Sequence, residues 1–135
     1  MKGDPEFSRE LIEKAENDIA AASIGLQHGA PLDTVCFHLQ QAVEKLLKAA
    51  LNFRNLRYPL THDIDELLEL AIPYLPELSP FLERFEGFAP YAVELRYSTA
   101  FRPSQEEVAA GFQAVEEFQS LIYALLPPEI RPQRN

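Results

Sequence analysis

The chain has 135 residues, one cysteine, no tryptophan and a formal charge of −9 at neutral pH. That length supports a single core burying about two-thirds of the unfolded surface, and 47% apolar content with nine Phe excludes general disorder. The acidic balance excludes a general nucleic-acid coat, whose affinity comes from Lys and Arg on phosphate. A lone thiol closes no intramolecular disulfide, no apolar run approaches the ~20 residues of a membrane span, and the N-terminus lacks an apolar signal segment. A cytoplasmic protein with no membrane association is expected.

Ser8 is placed to cap a first helix running to about Gln27, in which Ile12, Ala15, Ile19, Ala22 and Leu26 recur at helical spacing. Gly29 ends it, and Pro31 with Asp33 or Thr34 opens a second helix that continues to about Phe53. The apolar seam of this second helix is Val35, Leu39, Ala42, Leu46, Ala49 and Phe53. On another face His38, Gln41, Lys45 and Lys48 share a narrower arc, with Gln40 and Glu44 beside them. Residues 55–60 form a connector in which Pro59 keeps Tyr58 out of the helical region.

Thr61 is expected to cap a third helix to about Ala71, with Asp63, Asp65 and Glu66 near its positive end. Pro73 and Pro76 end it. Ser79-Pro80 then reads as the cap and first residue of a fourth helix, broken near Gly87 and Pro90 and resuming to about Ser98. Ser104-x-x-Glu107 matches a capping box for a last helix with the stripe Val108, Phe112, Val115, Phe118, Ile122 and Leu125, closed by Pro127-Pro128. No segment alternates with the period of a strand. The expected fold class is therefore all-α: an up-and-down helical bundle of about five helices, one domain over residues 1–126 with a flexible tail over 127–135.

Metal chemistry finds little support. His28, His38 and His62 form no His-x-x-x-His pair and have no cysteine partner, and the acids Asp63, Asp65, Glu66 and Glu69 fit a helix that favours negative charge in its first turns. Cys36, beside the apolar seam, is expected to be a buried and inert thiol. The five glycines are scattered and make no phosphate-binding loop. No metal or cofactor is expected. One basic cluster remains, Lys45, Lys48, Arg54 and Arg57 within thirteen residues, although Lys48 can simply pair with Glu44 at i,i+4.

The run Phe37-His38-Leu39-Gln40-Gln41-Ala42-Val43-Glu44-Lys45-Leu46-Leu47-Lys48-Ala49, followed by Thr61-His62-Asp63, resembles the HEPN domain family (higher eukaryotes and prokaryotes nucleotide-binding), in its prokaryotic stand-alone form. The similarity extends to Ala15-Glu16-Asn17-Asp18-Ile19 upstream and Glu94-Leu95-Arg96-Tyr97 downstream. It implies a HEPN-like bundle and dimerisation. For many members it also implies metal-independent endoribonuclease chemistry through an Arg-x(4–6)-His motif near the start of a C-terminal helix. In such a motif the Arg stabilises charge on the scissile phosphate while the His moves protons near neutral pH. Arg96 best fits the motif arginine, yet no histidine follows His62, so the motif histidine is missing. Arg57-Tyr58-Pro59-Leu60-Thr61-His62 has a literal Arg-x4-His spacing, but it falls in the connector with Pro59 inside it.

Two readings of the polar residues stand side by side. His38, Gln41, Glu44, Lys45 and Lys48, with His62, Asp63, Arg96 and Tyr97, form either a pocket for a phosphate-bearing or other anionic group or a hydrogen-bond network that fixes helix register. His62 either ties the third helix to the second or faces a ligand, and Arg96 is favourable near a helix C-terminus without any ligand. Phe81, Phe85, Phe88 and Phe101 favour core or subunit interface over base stacking. The leading expectation is a homodimeric interaction and nucleotide-binding module without the usual ribonuclease motif. The resemblance implies that it partners a minimal nucleotidyltransferase in a toxin–antitoxin-like pair. One alternative is a divergent metal-independent endoribonuclease (a toxin) using Arg96 or Arg57 with His62 on RNA. Another is a structural adaptor without a ligand.

Overall fold

Asp4 accepts the amide of Glu6, and Pro5 fills the first helical position, where its missing N–H costs nothing. Helix α1 therefore spans Pro5–Gln27 in the computed structural model, which describes residues 4–85 and 102–131. This corrects Ser8 as the cap. Ser8 is fully buried, and its hydroxyl donates to the Ala49 carbonyl at 2.9 Å. The Asn52 amide in turn donates to Ser8 Oγ and to the Asp4 carbonyl, each at 2.8 Å. A small hydroxyl thus stitches the start of α1 to the end of the next helix. At the other end Gly29 adopts φ 78°, letting the Ala30 amide reach the Gly25 carbonyl at 2.8 Å and close the turn.

Helix α2, Leu32–Phe53, opens behind Pro31 with no side-chain capping bond. The predicted seam is buried at Val35, Leu39, Ala42, Leu46 and Ala49, with Phe53 half-buried. Burial spreads beyond the seam to Cys36, Val43, Leu47, Ala50 and Leu51, because α1 and two later helices all pack against α2. Cys36 is buried, as its position beside the seam implies. Asn55, at φ 57°, ends the helix in the left-handed region, and the Leu56 amide bonds back to the Leu51 carbonyl at 2.9 Å.

Helix α3, Ile64–Ala71, is capped by Asp63, whose carboxylate accepts the amides of Asp65 and Glu66. Thr61, expected in that role, instead accepts the Asp63 amide at 3.0 Å and shapes the approach to the cap. A 3-10 turn, Pro76–Leu78, leads to the short α4, Phe81–Arg84. Pro80 holds the cap position of α4 with no side-chain capping bond, which corrects Ser79-Pro80 as its cap and first residue. The expected continuation of this helix to Ser98, with Gly87 and Pro90, lies outside the described residues.

Helix α5, Gln105–Leu125, begins with the predicted capping box: Ser104 and Glu107 bond each other's backbone amides at 3.0 and 3.1 Å. Val108, Val115, Phe118 and Ile122 are buried on α2, while Phe112 and Leu125 pack at the margin. Phe81, Phe85 and Phe118 cluster with ring centroids 5.0–5.3 Å apart, so two of the four aromatics assigned to packing lie in the core. Phe88 and Phe101 fall outside the described residues. Arg84 grips Glu117 through two hydrogen bonds, 2.7 and 3.0 Å, and pins α4 to α5. Beyond Pro127 the chain turns back: Ile130 is buried and Arg9 donates to the Glu129 carbonyl at 2.8 Å. Among the described residues every regular element is helical, giving an all-α bundle of five α-helices with one 3-10 turn. None of these helices is long and apolar enough to cross a membrane.

A candidate ligand and interaction site on the central helix

Two carboxylates organise the polar face of α2. Asp18, projecting from α1, lies 3.1 Å from His38 Nδ1 through one oxygen and binds Lys45 Nζ through the other. Glu44 does the same one turn further on, 2.9 Å from His62 Nδ1 and 3.5 Å from Lys48 Nζ. Each acid thus holds one histidine and one lysine. The acids lie inside and the cations outside, since Glu44 is 4% exposed whereas the His62 side chain is 65% exposed. That order follows from side-chain length: Lys45 and Lys48 bury their stems along the helices and keep their ammonium groups at the rim.

The helical spacing explains why these residues meet. His38 and Lys45 are separated by seven residues, two turns of α2, so both face the same point of α1. Asp18 is three residues after Ala15 and four before Ala22, within the buried stripe of α1, and so sits at that point. Lys48 is four residues beyond Glu44, and the connector brings His62 back over the same place. Because the carboxylate accepts from Nδ1, the neutral imidazole of His62 carries its proton there and leaves Nε2 as an open acceptor. Among the described residues that second nitrogen has no protein partner.

Lys48 also stands over the Tyr58 ring, 5.8 Å from its centroid. Burial of that ring pushes the Tyr58 phenol above its ordinary value. Tyr58 with Asn52, Asn55, Leu56 and Arg57 lines an open depression of about 340 Å³ at the C-terminal end of α2. Arg57 is exposed at its edge. The polar strip therefore runs from His62 through Glu44 and Lys48 to Tyr58 and Arg57.

Of the residues singled out in the sequence, His38 and Lys45 meet at Asp18, and Glu44, Lys48 and His62 meet at one node. Gln41 is half-buried on α2 between them, and Asp63 is spent on capping α3. Arg96 and Tyr97 lie outside the described residues. Sequence reasoning missed Asp18 as the anchor of the first node and Asn52 and Tyr58 as walls of the depression. A carboxylate within the apolar stripe of α1 was the available signal for Asp18. No group of three or more His, Cys, Asp or Glu among the described residues is placed to hold a metal.

These features define an all-helical domain whose polar chemistry is carried on its central helix and the following connector. A profile of the HEPN domain matches residues 8–125, and the chain belongs to the HEPN domain family. Membership implies a nucleotide-binding or ribonuclease-like module. No curated protein and no solved structure matches the chain significantly.

Proposed function

We propose that this HEPN domain is a binding and interaction module rather than a nuclease of the Arg-x(4–6)-His type. It forms a homodimer and works with a minimal nucleotidyltransferase in a toxin–antitoxin-like pair. The observation that carries this reading is the commitment of His38 and His62 to internal carboxylates, while no histidine follows His62 in the chain. α5 itself opens with Glu106 and Glu107, negative where a scissile phosphate would need positive charge. Since Lys45 is paired with Asp18 and Lys48 with Glu44, an anionic group would be held instead by Arg57, exposed beside the Tyr58 ring.

One observation favours the ribonuclease alternative. Glu44 fixes the His62 imidazole with Nε2 outward, the orientation a general acid–base needs, and Arg57 lies on the same connector. RNA cleavage in EDTA decides between the two. The purified chain is expected to cleave nothing and to co-elute with the nucleotidyltransferase encoded beside it. Metal-free cleavage abolished by both Arg57→Ala and His62→Ala would establish the enzyme instead.

A further inference from the structure

The outward face of α3 combines exposed apolar side chains with carboxylates. From Arg57 to Arg84 the sequence contains no Lys or Arg between those two residues, and its six acids, Asp63, Asp65, Glu66, Glu69, Glu77 and Glu83, are all exposed. Ile64, Leu67, Leu68 and Ala71 turn inward to the core, which leaves Glu66, Glu69 and Leu70 on the opposite arc. The helical path continues beyond Ala71, where the Leu75 amide bonds the Ala71 carbonyl at 2.8 Å, so Tyr74 follows Leu70 on the same side. Leu70 is 38% exposed and Tyr74 56% exposed. A large apolar pair flanked by carboxylates is the anatomy of an interface core with a charged rim.

We infer that the outward face of α3, centred on Leu70 and Tyr74, is the docking surface for a partner protein whose matching patch is apolar at its centre and basic at its rim. The inference rests on the reading of the chain as an interaction module and names the face that does the binding. Charge selects the occupant. RNA is repelled by an arc of carboxylates. A second copy meeting the face by two-fold symmetry would bring together two acid-rich arcs with no Lys or Arg among them, which disfavours this face for the homodimer. A basic partner alone turns this charge from a penalty into steering and register.

The test uses the full chain with the neighbouring nucleotidyltransferase, measured by calorimetry and analytical ultracentrifugation. Two double variants alter the face, Leu70→Gln/Tyr74→Gln and Glu66→Lys/Glu69→Lys. A charge-matched control, Glu10→Lys/Glu13→Lys, alters exposed positions on α1. Circular dichroism confirms that each folds. Both α3 variants are expected to weaken binding about tenfold or more, as loss of interface anchors does, with the control near wild type. Wild-type binding that survives both α3 variants, or that falls equally in the control, overturns the inference and leaves the nucleotidyltransferase reading intact. Loss of self-association in the α3 variants makes the occupant a second copy and also overturns it.

Where the nucleotidyltransferase does not bind the wild type at all, that reading fails by itself. A Lys/Leu amphipathic helical peptide followed by NMR then decides the inference. Shifts confined to α3 sustain it, and shifts spread over the acidic surface or absent altogether end it.

Discussion

Glu44 is tolerated in the interior because Lys48 and His62 both reach it, each offering a donor to a carboxylate that water hardly touches. Truncation removes the acceptor and leaves the half-buried Lys48 ammonium without its counter-charge. Glu44→Ala is expected to lower stability by about 1–3 kcal/mol in urea unfolding, the range for orphaning a buried partner. Glu44→Gln keeps the shape and an acceptor for His62, and should cost less. The same residues show what a sequence can give at this scale. The Glu44–Lys48 pair is local and readable from its spacing. Asp18 belongs to a different helix, and its pairing with His38 and Lys45 depends on how far α1 slides along α2, which no local spacing encodes.

At the scale of the elements, helix existence followed from apolar periodicity, whereas three of the helix starts did not. Ser8, Thr61 and Ser79 all have the chemistry of a cap, and each has a rival nearby: Asp4, Asp63 and Pro80. Burial decided the first case, since Ser8 is needed between helices. Geometry decided the second, since only Asp63 lies within reach of the amides of Asp65 and Glu66. Ser104 has its capping partner at the required spacing and no competitor, and was legible for that reason. Asp63→Ala is accordingly expected to cost about 1 kcal/mol and to speed amide exchange in the first turn of α3, while Thr61→Ala costs less. An equal or larger effect of Thr61→Ala would return the cap to Thr61.

Across the whole molecule, charge is unevenly distributed. Arg54 and Arg57 stand exposed at the end of α2, while acids dominate α3. The Arg84–Glu117 bridge is one place where an acid is balanced on the surface. Its hydrogen bonds hold the Glu117 carboxyl below its ordinary value. Its stabilisation is therefore present above the carboxyl's unfolded value and is lost as pH falls through the lower folded value. Glu117 lies on the exposed surface, so the effect is small and screened by salt. Comparing wild type with Glu117→Gln from pH 2 to pH 7 at low ionic strength, the wild-type advantage should shrink at the acid end and fade in 1 M salt. A difference independent of pH would assign the bridge no electrostatic role.

The two carboxylate nodes also bear on how the chain assembles. The Asp18 node lies wholly within the α1–α2 hairpin, whose two helices are neighbours in sequence and pack along their length. The Glu44 node needs His62 from beyond that hairpin, and α5 reaches α2 only after a long excursion of chain. Short loops close first, so the hairpin is the natural nucleus, able to form while the rest of the polypeptide is still being synthesised. Asp18 then acts as a registration pin, setting how the first two helices are aligned before the connector, α3 and α5 arrive to complete the bundle.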